Sequence, residues 1–268
     1  MRGINERFVA DLINGELSCF LRKVKENPDL CLEIRQDYIN IYYKGGSALR
    51  ITQKQCGYLY EFDEKYCLDE QTRVRVKAFA SLDDYRDNFE LLLSEMDNWF
   101  QVHPKSERAL QQQLAKNNTE GFCILDIEYA GSYDLDGERK KVRPDMIAVH
   151  EGKLIIVENK NREGAMGGNA GIAKHYRDFC NIIRDTEAKK DLLESMKQIA
   201  RNKQALGLPT AEISSDEIEI LFLVLNHNPK SKMLRNQIVG IVKEYPAKII
   251  FVDTAAGKID YAKAEVLL

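Results

Sequence analysis

Several absences narrow what this chain can be. No stretch of its 268 residues approaches the unbroken apolar run that a membrane-spanning helix needs. The opening MRGINERFVADLINGELSCF is charged throughout and lacks the apolar block of a secretory leader, which predicts a cytoplasmic protein with no membrane partner. The six cysteines (19, 31, 56, 67, 123 and 180) form no CxxC pair and show no zinc or iron–sulfur spacing, so they are expected as reduced, mostly buried thiols. The glycine-rich GAMGGNAG (164–171) is not followed by GK[ST] and is no phosphate-cradling P-loop. Repeats and low-complexity tracts are missing too. An excess of positive charge is also missing, since the net charge is −3 at pH 7. The charge is uneven, however: residues 1–100 carry 14 basic and 18 acidic side chains, residues 139–205 carry 15 and 9. A solvated helical face would explain that local excess as well as a phosphate-binding surface would.

What is present is a globular pattern with 44% hydrophobic residues, enough for a sizeable core without disulfides. Apolar periodicity predicts a helix over 4–26, then strands at 30–35, 38–43, 48–52, 58–63 and 72–79, with a hairpin turn at Gly45-Gly46. Helices are expected at 81–100 and 103–118. Strands follow at 122–130, 143–149 and 153–159, then helices at 172–184 and 187–206. The nearly continuous apolar run 217–226 predicts a strand covered on both faces, followed by a helix at 231–245 and a strand at 247–253. The expected class is α/β (α+β), a mixed central sheet flanked by helices. It divides into an N-terminal helix plus antiparallel sheet (1–80), a connecting helix (81–102) and an α/β domain (103–268).

The chemistry concentrates in RPDMIAVHEGKLIIVENK (143–160). A two-residue turn at Glu151-Gly152 sets Val149 opposite Leu154, Ile147 opposite Ile156 and Asp145 opposite Glu158. Because strand side chains alternate, all six share one face, and Lys160 continues that row. Carboxylates directly opposite each other destabilise a sheet unless a cation compensates, and a divalent metal such as Mg²⁺ (or Mn²⁺) is one. Two further acids are candidates. Glu107 shares a helical face with Leu110, Gln111 and Leu114, and Glu128 faces Asp145 if the preceding turn centres on Asp136-Gly137.

Pro144-Asp145 followed by Glu158-Asn159-Lys160 resembles the signature of the PD-(D/E)XK nuclease superfamily, and the element order over about residues 103–253 is similar to that superfamily's restriction-endonuclease-like core. The resemblance implies a Mg²⁺- or Mn²⁺-dependent nuclease, most simply one acting on DNA, and by analogy a homodimer if it cleaves duplexes. It implies Asp145 and Glu158 as metal ligands and Glu107 as a further one, while Glu128 is a candidate ligand from its expected register opposite Asp145. Lys160 would act on the attacking water and the developing charge. Polar residues of the next helix, here Lys174 and His175, would lie near the scissile phosphate. Arg143, Arg162, Arg177, Arg139, Lys140 and Lys141 are candidate backbone contacts. Bland alternatives accompany each residue. The two acids would equally end a solvated surface hairpin, Glu107 would suit a helix's first turn, and His175 would suit a helix surface or core. The competing functions are a nucleic-acid-binding or scaffolding module without chemistry, and an α/β domain acting on a small molecule.

Overall fold

The computed structural model describes residues 2–104, 106–161, 171–226, 232–239, 241–252 and 257–267. They form two compact units, one of residues 2–112 and 201–208, the other of residues 113–200 and 209–268.

The first unit opens with helices α1 (Glu6–Ile13) and α2 (Ser18–Glu26), followed by an antiparallel sheet of β1 (Leu30–Ile34), β2 (Tyr38–Tyr43), β3 (Gly46–Gln53) and β4 (Tyr58–Glu61), in that order. Helices α3 (Glu70–Lys77), α4 (Leu82–Asp87) and α5 (Phe89–Val102) follow, then the first half of α6 (Ser106–Asn117). Phe8, Leu12, Phe20, Ile39, Ile41, Leu49, Phe89 and Met96 are fully buried and make its core. The returning segment 201–208 is tied in by polar contacts. Asn202 bonds both the amide and the carbonyl of Ile4 (3.2 and 3.1 Å), and buried Lys203 pairs with buried Glu33 (3.3 Å).

The second unit is built on a mixed six-stranded sheet. Its strands are β5 (Phe122–Ile127), β8 (Met146–His150), β9 (Lys153–Asn161), β10 (Ile218–Leu225), β11 (Ala247–Val252) and the short β12 (Glu265–Val266). Strand β9 runs antiparallel to β8 and parallel to β10, and β10 runs parallel to β11. A separate two-stranded ribbon, β6 (Gly131–Leu135) and β7 (Glu138–Val142), precedes β8. Helix α7 (Ile172–Arg184) packs Phe179 against Phe222 of β10, with Ile172, Tyr176 and Ile183 also buried. Helix α8 (Thr186–Ala205) and the short α9 (Met233–Ile238) complete the unit. Among the described residues, no helix is long and apolar enough to cross a membrane.

The mixed sheet with flanking helices matches the expected α/β class, and several elements differ in detail. Residues 72–79 are helical rather than extended: Asp69 caps α3 by accepting from Thr72 N (2.8 Å), and Arg73 pairs with Glu70 one turn away (2.9 Å), local contacts that outweigh the β-branched alternation. The expected helix 4–26 breaks at Asn14–Leu17, where Gly15 packs so tightly on Asp11 that a Cβ would lie 2.6 Å from its Cα. Helix 81–100 is divided at Asn88, and its first part starts from a Ser81/Asp84 capping box. Among the described residues of 231–245 only Met233–Ile238 are helical, and the amides of Glu244 and Tyr245 bond instead to the Tyr176 hydroxyl (2.9 and 3.0 Å). The division between units falls inside α6, after Gln112. That buried side chain accepts from Gly45 N (2.7 Å) and donates to Asp29 O (2.7 Å), which binds the front of α6 to the β2–β3 turn.

That turn supplies a stability test. Gly45 has φ +82°, and an added Cβ would lie 2.5 Å from Ala109 N. Gly45→Ala is expected to destabilise by about 2 kcal/mol, combining backbone strain with the clash. A urea midpoint that stays put in the variant would mean the turn is not pressed on α6.

Candidate metal-dependent active site

The hairpin that carries the candidate acids is fixed by its turn. Glu151 (φ +48°) and Gly152 (φ +77°) are both left-handed, the signature of a type I′ turn. The register follows: Val149 faces Leu154, Ile147 faces Ile156 and Met146 faces Val157. Asp145 sits just before β8, while Glu158 and Lys160 are two residues apart on β9 and therefore on one face. The second expected register is also present. Asp136 (φ +53°) and Gly137 (φ +80°) turn the ribbon, Gly131 faces Val142, and Ile127 of β5 faces Met146 of β8. One step further, Glu128 N donates to Asp145 O (2.7 Å), with Glu128 itself left-handed at φ +52°.

Glu158 is 4% exposed and Lys160 is 3% exposed, so both charges lie inside the protein rather than at a solvated hairpin end. One carboxylate oxygen of Glu158, Oε1, takes the Lys160 ammonium (2.8 Å) and His175 Nδ1 from α7 (3.1 Å). The other, Oε2, is buried and has no hydrogen-bond partner among the described residues. Asp145 Oδ2 accepts from Asn159 N (2.8 Å), which secures that carboxylate against β9. Burial, reinforced by the Asp145 charge, pushes Glu158 up to about 8 despite the attraction of Lys160. Burial and then Lys160 push His175 down to about 4, which favours a neutral imidazole in contact with Glu158. A buried carboxyl oxygen without a partner, beside a second carboxylate, is an arrangement that a divalent cation fits, and such an ion would favour the ionised acid. Asp145 and Glu158 form a pair only. Among the described residues no group of three or more His, Cys, Asp or Glu side chains is gathered as a metal cage.

The remaining candidates fall in several places. Glu107 is exposed in the first turn of α6, in the first unit, and the expectation of an inward side chain is corrected. Leu110, Gln111 and Leu114 are buried as expected, but the stripe starts one turn later, and the helix dipole favours an acid at the first turn. Arg143 is exposed and lies between β7 and Asp145. Lys174 pairs with Asp178 (2.6 Å), and Arg177 reaches its own helix at Ala173 O (3.3 Å). Arg139, Lys140 and Lys141 are exposed on β7, and Lys140 pairs with Glu138. Arg162 and most of the glycine-rich loop lie outside the described residues.

Two features escaped the linear pattern. His175 emerges as a direct partner of Glu158 rather than as a phosphate contact, and one-dimensional spacing holds no signal for that. Asp126 is fully buried in β5, where an irregularity between Ile124 and Asp126 sets it opposite Ile147. An acid inside the apolar run FCILDI was a visible signal, since a buried charge demands partners. A cavity of about 570 Å³ lies at the other end of the hairpin, lined by His150, Lys153, Glu219 and Tyr261 among others, and contains none of the candidate acids.

No protein-family model matches the chain, and neither does any curated protein or solved structure.

The ribbon's anchorage generates a prediction. Tyr133 of β6 donates its hydroxyl to Asp178 of α7 (2.9 Å), and Asp134 N donates to Asp185 (2.8 Å). Tyr133→Phe is expected to remove about 1 kcal/mol of local stability. Hydrogen exchange should then quicken at the β6–β7 amides and stay unchanged in β9. Exchange that is unaltered in the ribbon would mean the hydroxyl contributes nothing to holding it.

Proposed function

We propose that the chain is a divalent-cation-dependent nuclease that hydrolyses phosphodiester bonds, with Mg²⁺ or Mn²⁺ as the metal and DNA as the first substrate to try. The observation that carries this reading is the state of Glu158: one oxygen is occupied by Lys160 and His175, and the other is buried without a partner beside Asp145. Asp145 and Glu158 Oε2 would hold the ion. When bound, it would polarise a phosphate oxygen and make water a competent nucleophile at neutral pH.

The chain's own residues account for the rest. Lys160 is a point charge at the same position, able to hold the attacking water or a phosphate oxygen as charge develops. His175, with its pKa lowered, contacts Glu158 Oε1 and so can orient that carboxyl group. Asn159 N holds the Asp145 carboxylate and Glu128 N holds its carbonyl, so Asp145 is preorganised by backbone contacts, while Glu158 is held by Lys160 and His175. Glu107, exposed in the other unit, has no part in this reading.

Two experiments test it. Calorimetric titration with Mn²⁺ or Mg²⁺ should show binding that is largely lost in Asp145→Ala and in Glu158→Ala, since each removes an anionic ligand. Binding retained in both variants would place the ion elsewhere. Lys160→Ala should lower cleavage of plasmid or linear DNA at least about a hundredfold, the scale of losing one preorganised electrostatic contact. DNA affinity at fixed salt should change far less. If the wild-type protein binds nucleic acid but cleaves no form of it with either metal, the chain is a binding module.

A further inference from the structure

The ribbon divides its cations by face. Residues 138–141 of β7 are all exposed, and from its end onward Val142 and Pro144 are buried while Lys141 and Arg143 are exposed, the alternation of an extended chain with one side turned inward. The inward side is fixed by Tyr133, which is paired across the ribbon with Lys140 and bonded to Asp178 of α7. Lys140 therefore shares the Tyr133 side of the ribbon, where it is exposed and pairs with Glu138. Arg139, Lys141 and Arg143 belong to the outward face. Arg139 reaches across to Ser132 Oγ (2.8 Å), and among the described residues neither Lys141 nor Arg143 has an ion-pair partner.

These three cations are roughly 6.8 Å apart along the chain, two residues per step, and the row leads directly to Asp145. At the far end it stops: Asp134 lies directly across the ribbon from Arg139, and the tip carries Asp136 and Glu138, all exposed. Helix α7 fixes the ribbon and the site together, because Asp178 holds Tyr133 one turn after His175 meets Glu158. We propose that the outward face of the β6–β7 ribbon is a track for one phosphodiester strand, in which Arg139, Lys141 and Arg143 take successive phosphates on one side of the cleaved bond. This inference rests on the nuclease reading and adds to it a substrate class. The substrate is a polynucleotide long enough to run along the ribbon, gripped through its backbone and not through its bases. Nucleotides and very short oligomers, which leave the row empty, are poor ligands. The acids at the tip repel phosphate and set the end of the footprint.

The test is the salt dependence of binding, measured by anisotropy without divalent cation so that binding is read apart from cleavage. Labelled DNA and RNA strands of one sequence, single and duplex, are compared. Each phosphate contact contributes roughly 0.7 to 0.9 to the slope of log affinity against log salt, so Arg139→Gln/Lys141→Gln/Arg143→Gln should lower that slope by about 2 to 3. Lys140→Gln should keep the wild-type slope. The charge-preserving Arg139→Lys/Lys141→Arg/Arg143→Lys should also keep it, which separates loss of charge from loss of fold. A triple-Gln slope equal to wild type overturns the track, as does a Lys140→Gln slope that falls as far as a single Arg139→Gln slope. So does a charge-preserving variant that loses the slope. A wild-type protein that shows the faced slope yet never cleaves refutes the nuclease reading and leaves the track standing. A protein that binds none of the four strands overturns the track.

Discussion

A carboxylate sealed inside a protein beside a second carboxylate must be compensated, and much of the second unit's architecture bears on how Glu158 is compensated. Desolvation and the Asp145 charge both favour the protonated acid, and Lys160 opposes them. The two available donors, Lys160 and His175, converge on one oxygen and leave the other bare. An apolar pair at these positions would be simpler to bury. The proposed cation site gives that polar cluster a role that stability does not.

The arrangement depends on register. A one-residue slip between β8 and β9 would send Glu158 and Lys160 to the opposite face, away from α7 and His175. The left-handed pair Glu151-Gly152 prevents that slip, and the parallel pairing of β9 with β10 provides a second constraint, since Glu158 lies beside Phe222, the residue on which Phe179 of α7 packs. The packing that buries α7 thus delivers its histidine to the acid. Buried carboxylate, aromatic contact and helix position are one structural problem with one solution.

The ribbon extends the same logic outward. Its inward face is anchored by Tyr133 and Val142, so its outward face has a fixed orientation, and a cluster of basic residues becomes a directional row. The modest net charge of −3 is compatible with this, because steering and grip depend on where charges are placed more than on their sum.

Local rules written in the sequence determined a good deal. The Glu151-Gly152 and Asp136-Gly137 turns dictated both registers, because left-handed turn residues allow few pairings. The continuous apolar run at 218–225 dictated a strand buried on both faces. Alternation alone put Glu158 and Lys160 on the same side of β9. Where local and tertiary forces compete, the sequence was ambiguous: 70–77 reads as a strand until Asp69 caps it, and 241–245 reads as helix until the Tyr176 hydroxyl takes its amides. Tertiary structure alone decided that Glu107 points to solvent and that His175 meets Glu158. Each of these depends on which elements pack together across long sequence separations, and burial is a property of that packing, which no residue spacing encodes.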